Sequence, residues 1–384
     1  MSRPAPLAGI RVLDLTRLLP GPVATLHLAD LGADVIKIED PQIGDYARTL
    51  GTGSGEDSAY FRMINRNKQG LRLDLKKSEG VEIFMRLARE ADVIVESFRP
   101  GVVNKLGIGY AAVNAINPKI AYCSISGYGQ DGPYKDLAGH DINYLGYAGV
   151  LEQIGSEGGN PVIPNFQIAD LLGGALTGVM GILAAVVEAQ RTGVGRYIDV
   201  SMTDSVLAHS YFTMLRLADA GHSAPRGTDL LSGGLPCYAT YRCADGKYMA
   251  VGALEGKFWK ICCTVLQRPD WVARQWDASL RSEIATLFAT RNRDDWAEAF
   301  VAVDCCVTPI LSPEEALKNE QIAARGMVIE TDGLTQFAPP LKLSEHDFSI
   351  HRTAPKVGEH NVAILLAAGY SLAEIEKLQA SGTI

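Results

Sequence analysis

The first apolar run, Ile10-Arg-Val-Leu-Asp-Leu15, is too short and too continuous for an amphipathic helix, and it reads as a buried strand. Val23 to Leu31 carries helical spacing and stops at Gly32, after which Asp34-Val-Ile-Lys-Ile-Glu39 forms a second strand, so the chain opens as a βαβ unit. The pattern repeats through a strand at Gly70 to Leu75, a helix from Ser78 to Glu90 with Ser78 as its cap, and strands at Asp92 to Glu96 and Ile120 to Ser126. Beyond a glycine-rich helix come a strand at Arg196 to Ser201 and a helix from Asp204 to about Ala220. Strands that alternate with helices predict a parallel sheet covered on both faces.

Near residue 221 the style changes. Gly221 to Leu235 is rich in Gly, Ser and Pro and reads as a linker. Cys237 to Arg242, the turn Asp245-Gly246 and Lys247 to Val251 give a hairpin signal, and short amphipathic helices follow around Lys257 to Leu266, Leu280 to Thr290 and Asp294 to Val303. This predicts a large α/β domain over 1–220, a linker over 221–235, a small α+β domain over 236–325 and a return linker over 326–339. The tail, 340–384, ends in a helix from Leu372 to Ala380 and lacks a strand-rich core of its own, so it is expected to complete the large domain.

The 384 residues include 44 Asp plus Glu against 36 Lys plus Arg, for a net charge of −8, with 47% of residues apolar. This is a globular balance, and its acidity argues against nucleic acid or an anionic membrane as partner, both of which need a broad basic surface. Seven cysteines, among them the pairs Cys262-Cys263 and Cys305-Cys306, have neither CxxC nor Cys/His ligand spacing, so no metal site is indicated and a cytoplasmic setting is expected. The N-terminus, with Arg3 and then Asp14 interrupting the apolar stretch, is too short and broken for a secretory signal. Leu171 to Val187 is uncharged like a membrane span, but Gly173, Gly174, Gly178 and Gly181 suit a helix lying close against a sheet, and it is read as a core helix.

Gly127-Tyr-Gly129-Gln-Asp-Gly132 follows a strand and matches GxGxxG, but no amphipathic helix opens after it and the first βα turn reads Leu18-Leu-Pro-Gly-Pro22, so a nicotinamide site is not expected; Gly107-Ile-Gly109 follows no strand at all. Residues 60–110 hold ten basic side chains against six acidic, an excess of four in an acidic chain. Of these, Arg66, Lys68 and Arg99 sit in loops at the ends of parallel strands, where open α/β sheets bind ligands, and are candidates for holding phosphates. Asp170, at the head of the glycine-rich helix, suits an N-cap or a carboxylate at work beside free N–H groups. His140 has the side chain best suited to general base work near neutrality, and Glu255 is placed as the acid at a helix N-terminus.

Seven stretches together resemble one family, the family III CoA-transferases and α-methylacyl-CoA racemases, also called CaiB/BaiF: Gly9 to Thr16, Leu31 to Glu39, Asn65 to Lys68, Leu73 to Lys76, Ala91 to Gly101, Gly127 to Pro133 and Gly195 to Ser201. The resemblance implies an α/β fold with a Rossmann-like parallel-sheet domain plus a smaller α+β domain, in a homodimer whose chains interlock. It implies an acyl-CoA substrate and no cofactor or metal beyond the CoA moiety, with Asp170 essential to the chemistry. Transferase relatives use that aspartate as a nucleophile on the acyl-CoA; racemase relatives exchange the proton beside the thioester carbonyl with a His on one face and the Asp on the other, oriented by a Glu. Gly139-His-Asp-Ile-Asn-Tyr144, Leu231-Ser-Gly-Gly-Leu-Pro236 and Val251-Gly-Ala-Leu-Glu255 resemble the racemase branch, which assigns His140, Asp170 and Glu255 to catalysis and leaves CoA transfer as the alternative.

The same resemblance places the CoA on Arg48, Arg66, Lys68, Leu73, Asp74, Leu75, Lys76, Ser97, Phe98, Arg99, Lys105, Gly139, Asp141 and Tyr144. Many relatives have a basic residue just after the second strand, where this chain has Asp40, which shifts the phosphate contact toward Arg48, Arg66 and Arg99. For a proton exchanged between two faces, the backbone N–H groups opening the Asp170 helix are the expected donors to the enolate oxygen.

Overall fold

The computed structural model describes residues 4–51 and 57–384; Arg3 lies outside them. Six strands, β1 (Arg11–Asp14), β2 (Asp34–Glu39), β3 (Lys68–Arg72), β4 (Val93–Glu96), β5 (Ala121–Ser126) and β6 (Tyr197–Ser201), form a parallel sheet in the order β3-β2-β1-β4-β5-β6. The order reverses between β1 and β4, and the carboxyl ends of those two strands are where a doubly wound sheet opens a crevice. Their interiors are apolar without alternation because helices cover both faces: Val12, Leu13, Val93, Ile94 and Val95 are all fully buried.

Helix Pro20–Asp30 connects β1 to β2, with Pro20 at its first turn, and helix Ser78–Ala88 lies between β3 and β4. The expected cap at Ser78 is instead the first helical residue, preceded by an extended Lys77, and its hydroxyl donates to Glu79. The glycine-rich segment begins as a wide π-helix, Ala169–Leu176, and continues as an α-helix, Thr177–Thr192. Among the described residues this is the one helix long and apolar enough to cross a membrane. Here it lies against the sheet. A Cβ added to Gly178 would meet Ile125 Cδ1 of β5 at 3.2 Å, and one added to Gly181 would meet Ile198 Cγ2 of β6 at 2.8 Å.

The tail joins the same core. Ile364 and Leu365 of helix Asn361–Ala367, Ile375 of helix Leu372–Ala380, and Ile384 pack with Leu71 and Phe84. It also covers the outer edge of β3, where the Gly70 N–H donates to His360 Nδ1 at 3.1 Å and the Arg72 N–H to Asn361 Oδ1 at 2.9 Å, which removes an open strand edge.

The chain divides into two units, 1–148 with 166–208 and 324–384, and 149–165 with 209–323. These bounds differ from the sequence expectation in three places. The helix expected from Asp204 to Ala220 is two helices, Met202–Ala208 and Tyr211–Ala220, broken at the non-helical Ser210, and only the first belongs to the large unit. Residues 149–165 belong to the second unit, since Arg226 holds Glu152 by its carbonyl at 2.6 Å and its carboxylate at 2.7 Å, and Arg281 reaches Glu157. The expected return linker is a hairpin, β10 (Val328–Thr331) and β11 (Leu334–Phe337), turned on Asp332 and Gly333, both left-handed, as a two-residue hairpin turn requires.

The second unit is built on an antiparallel sheet, β7 (Tyr238–Arg242), β8 (Tyr248–Gly252) and β9 (Val307–Pro309). Its core is aromatic, with Trp259, Trp271, Phe288, Trp296 and Phe300 buried together. The Gly246 turn of the β7-β8 hairpin has the positive φ, +82°, expected of Asp-Gly.

Candidate active site

His140 and Asp170 lie in the large unit and are joined through Asp141. His140 is the last extended residue before helix Asp141–Tyr147; its N–H donates to Asn143 Oδ1 at 3.0 Å and its ring stands exposed. Asp141, the next residue, turns its carboxylate onto the opening of the glycine-rich helix, where Oδ1 accepts from the N–H of Ala169 at 2.7 Å and of Asp170 at 3.0 Å. The helix is therefore capped by a side chain from another element. Asp170 does not act as the cap, and the donors expected to receive an enolate oxygen are already bonded.

Asp170 is half-buried. Burial pushes its carboxyl up to about 7 from the ordinary 3.8, and the Asp141 carboxylate beside it pushes the same way. Burial first, then the Asp170 charge, raises the phenols of Tyr60 and Tyr144, and Arg99 lies close enough to Tyr144 to oppose the shift there. Tyr144 itself is buried, donates to the Gly139 carbonyl at 2.5 Å, and fills the space that a side chain at Gly127 or Gly139 would need. The glycines of the helix work the same way, since a Cβ on Gly173 would come within 2.8 Å of the Met202 carbonyl and one on Gly174 within 2.6 Å of Pro20 Cβ. The Gly127-Gly129-Gly132 loop runs on without a helix until Asp141, with φ +87° at Gly129 and +78° at Gly132, which is not the turn that seats a pyrophosphate on a helix.

A cavity of about 260 Å³ opens at the carboxyl ends of β1 to β4. Its walls include Leu73, Leu75 and Phe98, and Lys76 stands at its edge. Of the other predicted CoA residues, Ser97 accepts the Arg17 N–H at 3.3 Å, Asp74 holds the turn before helix Ser78–Ala88 by accepting from the Lys76 N–H at 3.0 Å, and Arg99 and Lys105 stand exposed beyond β4.

Three predicted phosphate ligands have other work, which corrects the sequence expectation. Lys68 is fully buried, bonding Asp14 Oδ2 at 3.1 Å, Asn65 Oδ1 at 2.8 Å and the Pro22 carbonyl at 2.9 Å. Arg66 is buried against Asp30 at 2.7 Å and also bonds Gln336 of the β10-β11 hairpin. Arg48 clasps Glu39 at 2.6 and 2.9 Å and bonds Asp57, with its guanidinium stacked on Phe61. Each cation neutralises a carboxylate that could not otherwise be buried, and a group so enclosed has no face left for a phosphate. The position of basic residues at strand ends was legible in sequence; their acidic partners, 9 to 54 residues away, were not.

Glu255 belongs to the second unit, exposed at the position before helix Gly256–Val265, where its carbonyl accepts from Phe258 and Trp259. Two residues near the site were missed in sequence, Tyr60 and Arg17. The only signal for Arg17 was its place in the first βα turn.

The profile of the CoA-transferase family III matches residues 7–361. The chain is 36% identical to the α-methylacyl-CoA racemase of Homo sapiens over 98% of its length and 97% of the relative's. It is also 33% identical to the succinyl-CoA:glutarate CoA-transferase of Mus musculus, over 99% of this chain and 90% of that one. Among solved structures, a CaiB/BaiF family protein from Brucella suis superposes with a TM-score of 0.84 at 32% identity, covering 95% of this chain and all of the other. The chain belongs to the family III CoA-transferases, in the CaiB/BaiF group, and is an enzyme of that family.

Proposed function

We propose that this family III enzyme is an α-methylacyl-CoA racemase, or epimerase, exchanging the α-proton of a 2-methyl-branched acyl-CoA between two faces. The observation that carries this reading is the pair formed by His140 and an Asp170 whose carboxyl titrates at about 7, with Asp141 tying their elements together. A single base returns a proton to the face it came from, so inversion needs a second group on the opposite face that is protonated when the first is not. An ordinary carboxyl would be almost wholly ionised at neutrality; one raised to about 7 carries its proton about half of the time.

In one direction neutral His140 removes the α-proton while protonated Asp170 delivers one to the other face, and the roles exchange in return. The enolate oxygen needs N–H donors. With Ala169 and Asp170 bonded to Asp141, those at the first turn after His140, on Asp141 and Ile142, have no hydrogen-bond acceptor among the described residues and take that role in our reading.

An interlocked homodimer is part of the proposal, supplying Glu255 of the partner subunit to orient His140. It is supported by the apolar side chains that helix Tyr211–Ala220 leaves exposed, Tyr211 at 71% and Phe212, Met214 and Leu215 at 50% or more. A cytoplasmic location is proposed on the seven unpaired cysteines, six of them buried.

The 33% identity to a CoA-transferase keeps CoA transfer as the second reading. Incubation of a 2-methylacyl-CoA in deuterium oxide, with and without an acceptor carboxylic acid, separates the two. A racemase takes up solvent deuterium and loses inversion with either His140→Ala or Asp170→Ala, while the Asp170 variant still exchanges the proton of one enantiomer. Transfer to the added acid that survives His140→Ala, with no deuterium in the acyl group, would overturn the racemase reading.

A further inference from the structure

The cavity at the carboxyl ends of β1 to β4 is apolar along its walls, with Leu15, Ile38, Leu73, Leu75, Val102 and Leu106, and carries four charged side chains, Arg17, Glu39, Asp40 and Lys76. Three of these charges are matched. Both Glu39 oxygens accept from Arg48. Lys76 reaches Asp40 Oδ2 at 3.3 Å, while the other Asp40 oxygen accepts the N–H groups of Gln42 and Ile43. Arg17 is different. Its guanidinium lies over the rings of Tyr46 and Phe98, 5.7 and 5.5 Å from their centroids, and it has no carboxylate partner among the described residues.

We propose that Arg17 is the phosphate ligand for the nucleotide end of the CoA substrate in this chain; the inference rests on the acyl-CoA reading above. Contact with ring faces takes up none of the guanidinium N–H donors, and among the described residues they have no acceptor, so they remain available to meet a phosphate edge-on. The rings also hold the side chain in place before the ligand arrives, which lowers the cost of ordering it on binding.

The backbone is fixed as well. The Arg17 N–H donates to Ser97 Oγ at 3.3 Å, and the next residue, Leu18, is held left-handed at φ +66° with its N–H on Asp45 Oδ1 at 3.0 Å. Asp45 is itself buried and paired with Lys37 at 2.8 Å, so the turn that aims Arg17 is anchored in the core. A flat apolar slot with one unmatched cation beside it, at the switch point of a doubly wound sheet, is suited to a base with a phosphate attached. Arg48 and Arg66 are spent on buried carboxylates, and Lys76 carries an acid, which leaves Arg17 as the unmatched cation lining this cavity.

Titration calorimetry on the full chain, with CoA, dephospho-CoA and pantetheine as ligands, tests the assignment. Arg17→Ala is expected to weaken CoA binding by about 10- to 100-fold while leaving pantetheine affinity as it was, and Arg17→Lys to recover part of the loss as a point charge without the fork. Loss for CoA and dephospho-CoA alike places the diphosphate on Arg17; loss for CoA alone places the 3′-phosphate there, and both support the proposal. Equal CoA affinity in parent and Arg17→Ala overturns it, as does an equal loss for CoA and pantetheine, which would mean a damaged site. A parent chain that binds no CoA brings down the acyl-CoA reading and this inference with it.

Discussion

Replacing Asp170 by Asn should abolish racemisation and stabilise the fold, by an amount that depends on pH in a calculable way. Folding raises the carboxyl from 3.8 to about 7, so the native state disfavours its charged form. Below about pH 3.8 both folded and unfolded chains hold the proton and the group costs nothing. As pH rises the unfolded chain ionises first, and the cost grows until it is complete above about pH 7. At 1.36 kcal/mol per unit, the cost is about 2.3 kcal/mol at about pH 5.5 and about 4.3 kcal/mol at about pH 8.5, both upper bounds for a half-buried group. An isosteric amide carries no such cost. The stability gained by Asp170→Asn should therefore grow by about 2 kcal/mol between those two pH values. Urea unfolding of parent and variant at both pH values measures it, the difference read at constant slope. A gain that is flat with pH, or that shrinks as pH rises, would show that Asp170 is ionised normally in the fold, and the argument for its acid role would go with it.

Asp141→Ala removes the carboxylate that caps Ala169 and Asp170 and also the like charge beside Asp170. It should cost about 0.5–2 kcal/mol in unfolding free energy and move the alkaline limb of the pH–rate profile to lower pH. Gly173→Ala puts a Cβ within 2.8 Å of the Met202 carbonyl, a backbone atom that cannot swing away, and should lower stability by about 1–3 kcal/mol in denaturant titration despite alanine's better helix propensity. Lys68→Met leaves Asp14 buried without its direct cation and should cost about 3–5 kcal/mol, yet the salt dependence of acyl-CoA binding in the surviving folded protein should match the parent, since Lys68 meets no phosphate.

The sheet was legible in the sequence because its signals are local. A strand buried on both faces writes itself as a continuous apolar run, and Gly32 marks the end of its crossover within a few residues; β1, β2, β4, β5 and β6 match the predicted runs to within a residue at each end. Where the local signal is weak the reading slipped. β3 begins at Lys68, two residues earlier than expected, because it starts from the left-handed Asn67, and the β10-β11 hairpin passed for a linker because Val328 to Phe337 is too short and too polar to show period-two alternation clearly. His140 and Asp170 were identifiable by residue type and by their setting in the family's motifs. Their chemistry was not, because a carboxyl's affinity for its proton depends on what surrounds it in space, and Asp141, 29 residues away, both caps the helix and raises that affinity. The same reason separates the basic residues. Arg48, Arg66, Lys68 and Arg17 are equivalent cations in the sequence; folding brings carboxylates to the first three and aromatic rings to the fourth, and charge pairing across long loops is a property that only the tertiary structure decides.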